Sequence, residues 1–168
     1  MKNALLMSLS VMALSMPAMA QDNAKSAPMV DLTKAANEME YRTNLMALGS
    51  MSLMASELAE DKASNSDVKK FAAFEVSEQT AISSVLKDMK TSKPPMNEKD
   101  KAVMDKLKST SGAEFDRAYL QASLDTHERL EDLGENFLGA SKSSEAKEQH
   151  ARHLATVTLP TIKQHIAQ

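Results

Sequence analysis

Apolar residues recur along most of the chain at the three- and four-residue spacing of amphipathic helices, and no segment shows the strict alternation of a half-buried strand. The clearest stretch is Ser111–Gly139, where Phe115, Tyr119 and Ala122 open an apolar face. Leu120, Leu124, His127, Leu130, Gly134 and Leu138 continue it. Ser111, with Glu114 three residues on, has the form of a capping box. Gly139 is a suitable terminator. Asp116, Arg117, Asp125, Glu128, Arg129, Asp132 and Glu135 put charge mostly on the far side. This pattern predicts one long helix, and the rest of the chain reads as its partners.

Three more long helices are predicted. The first covers Asp31–Asp61, with Leu32, Ala35, Met39, Met46, Ser50, Leu53 and Glu57 along one broad face. Gly49 within it costs about 1 kcal/mol relative to alanine, which is the signature of a close helix approach. The second is capped within Ser64–Asp67 and runs to Lys90, with Val68, Phe71, Ala72, Ile82, Val85, Leu86 and Met89 inward. Pro94-Pro95 then breaks the helical pattern. The connection Thr91–Gly112 carries a short helix, Glu98–Lys108, and serves either as a crossover along the bundle or as a lid on one end. After a turn at Ser141–Ser144, a last helix runs to Ile166 with Ala151, Leu154, Val157, Thr158, Ile162 and His165 inward and Pro160 as a kink. The fold class expected is all-α: a four-helix bundle with a long connection between its second and third helices, occupying residues 31–168.

Composition narrows the function classes. The chain has no cysteine, so disulfides, thiolate metal sites and thiol catalysis are excluded. Lys and Arg number 20 against 23 Asp and Glu, and no basic patch with aromatics occurs; nucleic acid is not an expected partner. Residues 1–20 read as a secretory signal, with Lys2 ahead of an apolar run and Ala18-Met19-Ala20 as the cleavage site. Residues 21–30 form a polar lead-in. No later run is long enough to cross a membrane, so the expected location is periplasmic or secreted.

With these helices placed, the chain resembles domain-of-unknown-function family 4142. The resemblance is carried by Ser111-Gly112-Ala113-Glu114-Phe115-Asp116-Arg117-Ala118-Tyr119-Leu120, His127, and Thr158-Leu159-Pro160-Thr161-Ile162-Lys163-Gln164-His165. Leu58-Ala59 and Val68-Lys69-Lys70-Phe71-Ala72 add to it, and it extends from about Tyr41 to the C-terminus. The resemblance implies an exported protein with a ferritin-like four-helix fold and no general reaction. The family pattern also carries a glutamate in the first helix and an Asp-His pair in the second. Here those positions are Ser52 and Glu78-Gln79.

Candidate chemistry is sparse. No Glu-x-x-His occurs, which argues against carboxylate di-iron chemistry. His127 and His165 lie on apolar faces of different helices. Glu75 and Gln79 interrupt the inner face of the second helix. Either the stripe rotates there and both reach water, or both point inward toward a partner side chain, a water or a metal. With the two histidines, Glu75 or Gln79 would give a nitrogen/oxygen site for zinc, copper or iron. His150 and His153 read as a solvated face. Met46, Met51 and Met54 read as core filler rather than a thioether copper site, and a haem between Met39 or Met46 and His165 is a remote alternative. The expected function is a non-catalytic binding or structural role in the cell envelope, with an envelope protein as partner. The alternative is a metal-binding bundle using His127, His165, Glu75 and Gln79.

Overall fold

The structure, a computed structural model, describes residues 31–140 and 145–168. The expected signal, the lead-in and the Ser141–Ser144 turn lie outside the described residues. Five helices and no strand occur among those described: α1 (Glu38–Lys62), α2 (Ser66–Asp88), α3 (Glu98–Ser109), α4 (Gly112–Gly139) and α5 (Ala146–Ile166).

Local side-chain chemistry sets the helix ends, and it corrects two expectations. Asp31 does not start a helix. Its Oδ1 accepts from the Thr33 N–H at 3.0 Å and the Thr33 hydroxyl at 2.6 Å, which closes a turn instead. Asn37 is the cap of α1: its side chain accepts from the Glu40 N–H, and Glu40 reaches back to the Ala36 N–H. Ser111 makes no side-chain cap on α4. Gly112 has φ +58°, a left-handed kink at the first helical residue, so Ser111 and Glu114 are not set for a reciprocal cap. Asn65 and Asn97 cap α2 and α3 as their sequences suggest. The end of α2 comes just before Lys90, which adopts φ 61° while the Thr91 N–H bonds back to the Leu86 carbonyl.

Hydrogen bonds between elements give the directions of the helices. Arg42, near the start of α1, donates to the Met89 carbonyl and the Thr91 hydroxyl at the end of α2. At the other end of α1, Asp116 near the start of α4 accepts from Ser64 and Asn65. The 91–112 connection must therefore travel the length of α1, as a crossover rather than a lid. On the way α3 packs on α1 and α4, held by Asp100–Arg129 at 2.9 Å and by Lys62 Nζ on the Leu107 and Lys108 carbonyls. Arg152 of α5 caps the C-terminal carbonyls of α4 at Phe137 and Leu138.

Two apolar clusters fill the interior. One gathers Tyr41, Leu45, Leu86, Leu133, Phe137 and Leu154, with Tyr41 stacked on Phe137 at 4.3 Å. The other gathers Met51, Ala59, Val68, Leu107, Phe115 and Tyr119. Met46 and Met51 fall in different clusters, so the methionines of α1 serve packing and do not converge. Between the clusters lies a polar layer of Ser52, Glu75, Gln79, Ser123 and His127, all buried.

The helix most extensively packed on its neighbours is α1 rather than α4. Buried on several sides, α1 shows no single apolar stripe, and its expected face is rotated: Met39 is 64% exposed and Glu57 is exposed, while Tyr41, Leu48, Ser52 and Ser56 are buried. Leu120, Val85 and Val157, which their spacing assigns to inner faces, are exposed as well. Val157 stands off the stripe of Ala151, Leu154, Ala155, Thr158 and Ile162 that α5 buries.

Candidate metal centre

Three helices, α2, α4 and α5, each deliver one ionisable side chain to a centre at this polar layer. Of the two orientations open to Glu75 and Gln79, the structure has the inward one. Glu75 is wholly buried on α2, one turn beyond Phe71. His127 is buried in the middle of α4, and His165 is nearly so at the end of α5. Glu75 Oε1 lies 3.3 Å from His127 Nε2 and 2.7 Å from His165 Nδ1; the two ring nitrogens are 3.2 Å apart.

The surroundings fix each donor atom. His127 Nδ1 lies 2.8 Å from the Ser123 carbonyl oxygen, which can only accept, so Nδ1 carries the proton and Nε2 faces the centre. Glu75 Oε2 accepts from the Ser52 hydroxyl at 2.7 Å and, at the limit, from Gln79 Nε2 at 3.5 Å. Its Oε1 receives no hydrogen bond of good alignment, although two imidazoles stand against it. On the outer side of His165, Nε2 faces Glu78 Oε2 at 3.9 Å. The Phe71 ring packs edge-on against the His165 imidazole at 5.4 Å.

Electrostatics bind the group together. Burial pushes Glu75 up, but the two imidazoles standing against it, the His127 charge and the Ser52 hydroxyl outweigh it, and the carboxyl is held well below its usual range. Burial pulls His127 down, yet the Glu75 carboxylate and the Ser123 carbonyl prevail and raise it. Glu78 is raised by its own burial and by the neighbouring Glu75 charge, with the two imidazoles opposing.

Gln79 is buried beside this group and touches it through its amide nitrogen on Glu75 Oε2. Gln79 Oε1 has no hydrogen-bond partner and lies 2.8 Å from where a Cβ at position 49 would stand. Gly49 thus makes room for the close approach expected of it, and a side chain there would turn the Gln79 amide aside. His150 and His153 are exposed on α5, away from the buried layer. Sequence reasoning takes no account of Glu78 as a partner for His165, nor of Ser123 as the group that sets the His127 tautomer. Both signals are present as one-turn spacings, three residues from Glu75 and four before His127.

Three donor atoms, two imidazole nitrogens and a carboxylate oxygen, therefore converge in the interior of an all-helical protein, and together they could hold a metal ion. The chain belongs to the family described as domain of unknown function (DUF4142), matched over residues 18–168, a span that begins well before Tyr41. It matches no curated protein and no solved structure.

Proposed function

We propose that this protein is an exported, ferritin-like four-helix bundle that binds one divalent transition-metal ion through Glu75, His127 and His165. The observation that carries the reading is the spacing of the three donors. Tetrahedral ligands at zinc bond lengths stand about 3.3 Å apart. Two of the three separations here are 3.3 and 3.2 Å, and the third, 2.7 Å, need only open slightly. A buried carboxylate oxygen without a well-formed hydrogen bond supports the same reading, since such atoms are costly unless a cation or donor meets them. Two imidazoles with one carboxylate suit zinc or iron(II). Ser52 and Glu78 act from outside, the first holding Glu75 Oε2 and the second facing His165 Nε2, the nitrogen that keeps its proton when Nδ1 binds the ion.

The fold reading rests on the long crossover between α2 and α4, which leaves α2 and α4 running the same way. The export reading rests on Ala18-Met19-Ala20 behind an apolar run; an intact mass measured on periplasmic protein that retains residues 1–20 would remove it.

A non-catalytic structural or binding role in the envelope is the second reading. It is favoured by the 2.7 Å contact of His165 with Glu75, because an imidazole–carboxylate cluster can itself lock α2, α4 and α5 together. Elemental analysis of protein purified without chelator separates the two. The metal reading expects close to one equivalent of ion and a zinc-dependent rise in Tm that a His127→Ala, His165→Ala double variant lacks. Protein with no stoichiometric metal and a Tm indifferent to zinc returns the site to a structural cluster.

A further inference from the structure

A pocket of about 480 Å³ opens directly onto the two histidines. His127 and His165 line it and Glu75 does not, so the pocket reaches the centre from the side of the imidazoles, with the carboxylate the deepest of the three groups. Its walls are mixed: Phe71 and Val68 from α2, Leu120 and Leu124 from α4 and Ile166 from α5 give an apolar side, and Asn65, Asp67, Ser123 and Gln168 add polar groups. Leu120 and Leu124 are 45% and 36% exposed, which leaves hydrocarbon at the entrance uncovered by the protein. The volume falls within the range of small-molecule sites.

We propose that the centre keeps a coordination position open to this pocket, and that the pocket takes a small amphiphile with a carboxylate head. The head meets the ion and the hydrocarbon tail lies along Phe71, Leu120 and Leu124. This rests on the metal reading above. Three protein ligands leave zinc-like ions a position for an outside donor, and Gln79, the residue best placed to be a fourth ligand, stands back with its amide toward Glu75 Oε2. Charge selects the head. A divalent ion with Glu75 retains one positive charge, which a monoanion balances. Besides the two histidines, the pocket lining has one ionisable side chain, Asp67, which lies exposed at the rim and is paired with Lys70 at 3.7 Å, and it has no lysine or arginine to hold a second negative charge. The apolar side, Phe71, Leu120, Leu124 and Ile166, selects the tail.

The test uses the exported form of the protein loaded with cobalt(II), its metal content read by elemental analysis. Its visible absorption is titrated with acetate, butanoate, hexanoate and octanoate at constant ionic strength. The expected result is a spectral shift with each acid and a Kd that falls about fourfold per added methylene until the pocket is full. Leu124→Glu, which puts a charge at the entrance, should take up cobalt normally and bind octanoate no better than acetate. Bound cobalt with a spectrum unmoved by octanoate overturns the proposal, as does equal affinity for all four acids. A protein that takes up no cobalt overturns the metal reading, and this inference with it.

Discussion

Asp116 and Glu75 are both buried carboxylates, the first turned toward the α1–α2 turn and the second toward neighbouring helices, and they are held in different ways. Asp116 meets only donors: the Ser64 N–H at 2.9 Å, the Ser64 hydroxyl at 2.5 Å and the Asn65 N–H at 3.0 Å. Those bonds hold its carboxyl below the usual range, against the smaller effect of burial. The result fastens the α1–α2 turn to α4 and leaves no chemistry to spare. Glu75 has one oxygen held by Ser52 and another against two imidazoles without a well-directed bond. Burial alone therefore does not mark a site. What marks it is a buried acceptor whose neighbours are themselves titratable and can exchange a proton for an ion.

Substitution should separate the two most strongly. Glu75→Ala is expected to abolish metal uptake and to destabilise the apo protein by about 3 kcal/mol near pH 6, because it leaves protonated imidazole buried without a partner. Asp116→Ala should lower Tm while metal uptake stays at one equivalent. Denaturant melts and elemental analysis of both variants check this; loss of metal in Asp116→Ala, or its retention in Glu75→Ala, would erase the distinction.

The response to pH should be smaller. His127 is raised in the folded state, so its contribution is complete below about pH 6.5 and fades as pH rises through its elevated value. Glu75 is lowered, so its contribution is complete above about pH 4.5 and fades only in strong acid. The apo protein should therefore be most stable between these limits and lose stability toward pH 9. Metal binding displaces protons, so the metal-induced rise in Tm should grow over the same interval. Thermal melts with and without zinc from pH 5 to 9 give both curves, and parallel curves would deny the proton exchange.

The smallest effect is expected at Gly49. Alanine there would gain up to about 1 kcal/mol in helix propensity, but its Cβ would meet Gln79 Oε1 at 2.8 Å and force the amide to turn. These effects oppose, and Gly49→Ala should change apo stability by less than about 1 kcal/mol. A large loss of stability would mean that the Gln79 amide is fixed more firmly than its missing hydrogen bond implies.

The sequence makes some of this readable and hides the rest for physical reasons. Helices with one wet side are legible: the spacing places α3 almost to the residue, and Asn65 caps α2 within the segment where a cap is expected. The face of α1 is not, because a helix buried on several sides carries no single stripe to read. The capping box at Ser111 is a correct pattern undone by one backbone angle at Gly112. His127 and His165 stand out as lone imidazoles on apolar faces. Their meeting with Glu75 depends on how α2, α4 and α5 are aligned along their axes, and periodicity within a single helix carries no information on that alignment.

The crossover between α2 and α4 divides the molecule into two hairpins, each a continuous piece of chain. Glu75 belongs to the first, His127 and His165 to the second, so neither hairpin owns the complete donor set. An ion seated there would act as a clasp across the two halves. A chain nicked within residues 91–97 should then hold together better with zinc than without, which makes reassembly of separately produced halves a natural reporter for the ion.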